Sequence, residues 1–156
     1  MSRRALIAVL AAVAALAAGT GPATAAAADT GIELAGGSGR ATLALRGALL
    51  GGLERGRMTI TTLPGTEQPQ ILVQGYDWQT VVDERTTVYG GERIRFRVFR
   101  GAWRVRIRGS GINASAVGQG VVGLAGRGRY SLAGAPYRPW PAQYQTIRLG
   151  NSGRDG

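Results

Sequence analysis

The fold class of this chain is decided by one stretch, Arg93-Ile94-Arg95-Phe96-Arg97-Val98-Phe99-Arg100-Gly101-Ala102-Trp103-Arg104-Val105-Arg106-Ile107-Arg108. Arginine and apolar residues alternate strictly over residues 93–98 and again over residues 103–108. Alternation with a period of two is typical of a half-buried β-strand. Gly101 can adopt the positive φ that a tight turn requires. The stretch therefore predicts a two-stranded hairpin with one apolar face and one arginine face.

The predicted hairpin register places like charges opposite each other, at a cost of about 0.2–1 kcal/mol per pair. We therefore expect that the arginine face either has a function or has its positive charge compensated. Guanidinium groups in rows suit phosphate or carboxylate, which indicates a candidate anion-binding surface. The alternative is a solvated face whose charge is offset by Asp83, Glu84 or Glu92 on neighbouring strands. The six candidate anion-binding residues are Arg93, Arg95, Arg97, Arg104, Arg106 and Arg108.

The rest of the chain also has the sequence pattern of an all-β protein. Glycine accounts for 26 of 156 residues, and it separates short apolar or alternating runs. The one long glycine-free window, residues 76–89, is rich in β-branched threonine and valine, which favours extended structure. The candidate strands are residues 32–34, 40–46, 57–63, 70–76, 86–89, 92–99, 103–108, 112–117, 121–124, 129–132 and 144–149. We expect a β-sandwich of roughly 9–11 short strands, with a flattened β-barrel or a β-solenoid as alternatives.

Two segments of the chain resemble each other. When the sequence is shifted by 72 positions, residues 39–64 overlay residues 111–136 without a gap, and glycines, arginines and apolar positions coincide. This pattern predicts an internal duplication of a strand–turn–strand unit. The alternative is that strands punctuated by glycine resemble one another through composition alone.

The N-terminal segment is typical of a secretory signal peptide over residues 1–25. A short basic start, Ser2-Arg3-Arg4, precedes an unbroken apolar run over residues 5–18, and Ala23-Thr24-Ala25 provides the small residues of a cleavage site. An uncleaved anchor is the alternative. The arginine pair also fits a twin-arginine signal, although the strong apolar run favours the general secretory route.

Removal of this segment leaves 17 arginines and 9 acids, a net charge of +8. No second apolar run is long enough to span a bilayer, so no transmembrane span is expected in the mature chain. We expect a single β-sandwich domain over residues 30–150 and a disordered tail over residues 151–156. The predicted localisation is secreted or extracytoplasmic, associated with the cell envelope.

The composition excludes several kinds of chemistry. The chain has no cysteine and no histidine, so thiolate nucleophiles, imidazole triads and zinc–thiolate sites cannot form. We therefore expect no metal, no cofactor and no catalytic residue. A hydrolase would require carboxylates to converge in one cleft, among them Asp77, Asp83, Glu84 and Glu92. A candidate aromatic platform for sugar stacking consists of Trp78, Tyr137 and Trp140, although aromatic side chains more often pack a core.

One family resemblance rests on glycine spacing. The segment over residues 111–120, the run Gly126-Arg127-Gly128-Arg129-Tyr130-Ser131-Leu132, and Pro139-Trp140-Pro141 are similar to uncharacterised small secreted proteins of actinobacteria and related high-GC bacteria. The resemblance implies an exported all-β protein. It implies no known activity and no catalytic residues.

These observations lead to three hypotheses on function. The first is an exported non-catalytic β-domain that binds an anionic envelope polymer, a phospholipid headgroup or an acidic partner protein through its arginines. The second is a structural or adhesive component of the cell envelope. The third is a carboxylate-dependent hydrolase. Export disfavours a role with nucleic acid.

Overall fold

A computed structural model describes residues 30–65 and 67–150; the predicted signal peptide and the predicted disordered tail lie outside these residues. The described residues are all-β, which confirms the predicted class. They form one antiparallel sheet whose strands are β1 (Thr30–Thr62), β2 (Gln70–Gln74), β3 (Trp78–Asp83), β4 (Thr86–Phe99), β5 (Ala102–Leu132), β6 (Arg138–Pro139) and β7 (Gln145–Leu149). Nowhere in these residues is there a helix with the length and apolarity to cross a membrane.

Two of the strands are far longer than the sequence predicted. β1 has 33 residues and β5 has 31. They form one antiparallel ladder that runs from the pair Ile32–Leu132 to the pair Thr62–Trp103. The predicted number of strands is therefore wrong, because the glycines between several candidate strands bend the chain without ending the strand.

The bending glycines lie in register across the sheet. One glycine of β4, two of β1 and two of β5 pair with one another across neighbouring strands, and all five have φ between 130° and 157°. At two of them, Gly56 and Gly109, an added Cβ would strike the carbonyl oxygen of Arg108 or Arg55 on the neighbouring strand. Only glycine fits such a position. We call this set the glycine row; its members are Gly91, Gly56, Gly109, Gly39 and Gly126.

The ladder of β1 and β5 coils back on itself. Gly118 of β5 pairs with Thr30 on one edge and with Gly47 on the other. β1 therefore passes the same residue of β5 twice, once at Thr30 and again at Gly47. As a result, β5 pairs with both edges of the first half of β1. The sheet order is β2, β4, β1, β5, β6, with β3 also on β4 and β7 also on β5. This single continuous sheet stands in place of the two separate sheets that a sandwich implies.

The coil lets the sheet cover its own apolar face. Trp103, Val105 and Ile107 are fully buried although the described residues include no helix that could pack on them, and they belong to one cluster with Phe96 and the other core residues. The indole nitrogen of Trp103 donates a hydrogen bond to the carbonyl of Gly47 at 3.0 Å. This bond satisfies the one polar atom of the largest core side chain.

The predicted pairing of residues 93–98 with residues 103–108 is wrong. β4 and β5 do not pair within the described residues; the second half of β1, residues 47–62, lies between them and pairs with both. Val98 lies beside Leu49 and Trp103 beside Thr62, near opposite ends of that half-strand. The predicted apolar face is nevertheless buried, as alternation requires. A local pattern fixes which side chains face inward, but a partner strand 40 to 50 residues away depends on the whole chain.

Candidate anion-binding site

Three arginines from adjacent strand passages lie side by side, directly next to the glycine row. Arg57 of β1 pairs with Arg108 of β5, and Arg108 pairs on its other edge with Arg40 of β1. Their chain neighbours Met58 and Ile107 are buried while the three arginines are exposed, so the guanidinium groups point outward. Directly opposed residues in an antiparallel sheet have Cβ atoms about 4.5–5.5 Å apart. The glycine row therefore aligns three cations on one face.

A second row of polar side chains completes an open cleft. Arg106 pairs with Thr59 on one edge and with Thr42 on the other. The Arg40 guanidinium lies 4.8 Å from the centre of the Tyr144 ring, within cation–π distance. The cleft has a volume of about 540 Å³, and its walls are formed by Arg40, Thr42, Arg57, Thr59, Arg106, Arg108 and Tyr144.

Among the residues that the structure describes, no acidic side chain lines this cleft. In residues 30–65 and 67–150 the one ion pair is Arg55–Glu92, at 2.8 Å, on the other side of the glycine row. The four cleft arginines therefore have no carboxylate within 4.0 Å in the described part of the chain. Like charges on neighbouring strands destabilise a sheet, so an anion bound between the arginines would relieve their mutual repulsion.

The six arginines predicted from the sequence fall into two groups. Arg106 and Arg108 line the cleft, and Arg104 lies in the next row, between Thr61 and Ala44. The other three lie on β4 beyond the glycine row. There Arg97 pairs with Leu50, Arg95 pairs with Gly52, and Arg93 adopts a positive φ of 58°. None of these three arginines of β4 lines the cleft that contains Arg106 and Arg108.

The three aromatic residues of the predicted platform also lie apart. Trp78 is on β3, which pairs with β4, whereas β6 at the opposite end of the sheet order carries the segment next to Tyr137 and Trp140. Trp140 is buried and its indole donates to the carbonyl of Arg129 at 3.0 Å. The Tyr137 hydroxyl donates to Glu33 at 2.9 Å, and this hydrogen bond raises the pKa of the phenol.

Three of the carboxylates considered for hydrolysis make structural contacts, and two of these residues, Asp77 and Glu92, are direct neighbours. Asp77 accepts a hydrogen bond from the backbone of Glu92 at 3.1 Å, and Asp83 accepts one from the backbone of Arg85 at 2.7 Å. Glu92 itself pairs with Arg55. The described residues contain no group of three or more acidic side chains that could hold a metal ion.

Sequence reasoning missed Arg40, Arg57, Thr42, Thr59 and Tyr144. One signal could have found the first two, since each follows a glycine of the glycine row just as Arg108 precedes one. If the glycines align across strands, the adjacent arginines must align as well. Tyr144 carries no comparable signal, because it precedes a short strand whose partner is far away in the sequence.

Comparison of the chain with protein-family models, curated proteins and solved structures finds no match. The function must therefore be argued from the cleft itself.

Proposed function

We propose that the protein is an exported, non-catalytic β-domain that binds anionic groups in the arginine cleft. The single observation that carries this proposal is the in-register row Arg57, Arg108 and Arg40, which lacks a carboxylate partner among the described residues. The ligand classes that fit are an anionic envelope polymer, a phospholipid headgroup and an acidic partner protein. All three present phosphate or carboxylate oxygens, which guanidinium groups bind through paired hydrogen bonds.

The site is suited to bind rather than to transform its ligand. Arginine stays charged at all physiological pH values and does not act as a proton donor or acceptor there. The cleft hydroxyl groups belong to Thr42, Thr59 and Tyr144, and in the described part of the chain no carboxylate that could act as a base lines the cleft beside them. A fixed set of donors on a rigid sheet favours recognition, and the positive field around it would attract anions from solution.

The test compares two triple variants that remove the same charge. Arg40→Gln, Arg57→Gln and Arg108→Gln remove the in-register row, while Arg93→Gln, Arg95→Gln and Arg97→Gln serve as the matched control on β4. Binding to inorganic polyphosphate is measured at several salt concentrations. Each phosphate contact contributes about 0.7 to the slope of log K against log salt for a flexible chain, so we expect the cleft variant to lower the slope by about two.

The control triple should retain most of the binding and of the slope. If the two triples lose binding equally, the protein binds through its net charge and the cleft is not a site. If neither triple changes the binding, the arginines of both groups are solvated and the proposal is wrong.

A structural or adhesive component of the envelope is the second candidate function. The observation that favours it is the exposure of β3, where the successive residues Val81 and Val82 are 65% and 60% exposed. All six residues of β3 are exposed, so this strand is covered on neither face. Such an edge strand can pair with a second copy of the chain. This candidate predicts self-association that persists at high salt.

A further inference from the structure

The arginine row continues into an aromatic residue at its β4 end. Arg57 pairs with Gly90 of β4, and Gly90 pairs in turn with Trp78 of β3. A Cβ added at Gly90 would strike the indole ring of Trp78. The ring therefore occupies the position of the missing side chain, on the same outward face as Arg57. Trp78 is 46% exposed.

A second aromatic residue lies at the other end of the row. The Tyr144 ring covers Gly123 of β5, where an added Cβ would strike its hydroxyl oxygen, and the Arg40 guanidinium stacks on it. Each ring thus packs against a glycine of the sheet. Between them lie the three aligned guanidinium groups. The strip from Gly90 to Gly123 crosses four strand spacings, about 19 Å at about 4.8 Å per strand.

We propose that the ligand of the cleft is an anionic polysaccharide that lies across the strands, with sugar rings on Trp78 and Tyr144 and its carboxylate or phosphate groups on the arginines between them. This inference rests on the proposed function. A compact anion reaches the arginines but not both aromatic rings. A polyphosphate chain reaches the whole strip but has no apolar ring face to lay on an aromatic side chain, whereas the C–H face of a sugar ring packs well there.

The tryptophans of the protein offer a direct readout. Trp103 is fully buried and Trp140 is 5% exposed, so quenching of the fluorescence by acrylamide reports mainly on Trp78. Wild-type protein is titrated with two probes of matched charge, polygalacturonate oligomers and inorganic polyphosphate. We expect polygalacturonate to protect Trp78 from acrylamide and polyphosphate to leave the quenching unchanged. Equal protection by both probes, or protection by neither, would overturn the inference.

Variants of Trp78 provide the second measurement. Trp78→Ala should weaken polygalacturonate binding about five- to tenfold and leave polyphosphate binding unchanged, and Trp78→Phe should restore most of the loss. Tyr137→Ala is the control, because that tyrosine is also exposed and also carries an arginine, Arg129, over its ring at 5.7 Å. It should change neither affinity.

The two proposals fail in different ways. If Trp78→Ala weakens the binding of both probes equally, or of neither, then Trp78 and Tyr144 do not select sugar rings. The proposal that the arginine cleft binds anions is unaffected by that result. If Arg57→Gln and Arg108→Gln leave both probes bound as in the wild type, the cleft itself is not the binding site.

Discussion

At Gly56 the sheet leaves no space for a side chain. Its φ is 145°, and an added Cβ would strike the carbonyl oxygen of Arg108. Backbone strain of this kind costs about 1–3 kcal/mol, and the steric contact adds to it. We expect Gly56→Ala to lower the free energy of unfolding by about 3 kcal/mol, measured by chemical denaturation, and to move Arg57 out of line with Arg108.

Gly31 of the same strand is the matched control for this substitution. Its added Cβ would meet its nearest neighbours at 3.8 Å, an ordinary contact. Gly31→Ala should therefore leave stability unchanged or raise it slightly, because alanine restricts the unfolded chain. Equal stability of the two alanine variants would show that the glycine row does not bend the sheet.

At the scale of the elements, the sequence allowed the buried faces of residues 93–98 and 103–108 to be predicted, but not the strand with which they pair. The alternation of arginine with Ile94, Phe96 and Val105 places the apolar residues inside, and all three are buried. The hairpin pairing was wrong because half of β1 inserts between β4 and β5. The candidate site was predicted only in part for the same reason. Arg106 and Arg108 lie in it, but Arg40 and Arg57 come from that inserted strand.

The length of β1 and β5 could not be predicted from glycine spacing. A glycine after every eight or nine residues normally indicates a turn. Here the bending glycines keep their ladder bonds, and the strands continue through them. The two segments of the predicted internal duplication fall mainly in these two strands, and the duplication stays a prediction.

The structural or adhesive candidate function can be tested at the edge strand β3. Within residues 30–65 and 67–150 it pairs with β4 alone, and Val81 is 65% exposed. If a second copy adds to this edge, the protein should dimerise in 1 M NaCl, and Val81→Lys should raise the dimer dissociation constant at least tenfold, by about 1.4 kcal/mol. Sedimentation velocity provides the measurement.

Val117→Lys is the control for β3, since Val117 is also exposed but lies in a strand that is paired on both edges, with Gly31 and with Ala48. This variant should dimerise as the wild type does. A monomeric wild-type protein at high concentration and high salt would remove the structural candidate and leave the anion-binding function.

At the scale of the whole molecule, the coil makes the cleft depend on the entire chain. Arg40 and Arg57 belong to one strand but meet Arg108 from opposite edges, which is possible only after β1 has come round once. A fragment that contains only one of the two long strands cannot assemble the site. The absence of cysteine leaves this assembly to the core and the ladder alone.

The same topology predicts slow, cooperative folding. The residues that pair in this ladder lie between 41 positions apart, at Thr62 and Trp103, and 100 positions apart, at Ile32 and Leu132, so every pair requires the closure of a long loop. The conformational entropy of such loops is lost before the native contacts can offset it. All-β proteins with non-local pairing therefore fold in about milliseconds to seconds. Trp103 is fully buried by the coil, so stopped-flow fluorescence should show its burial in a single slow phase that matches the formation of β-structure by circular dichroism. Burial of Trp103 within microseconds, or a stable folded fragment that ends at residue 99, would mean that the strands form a core without the coil.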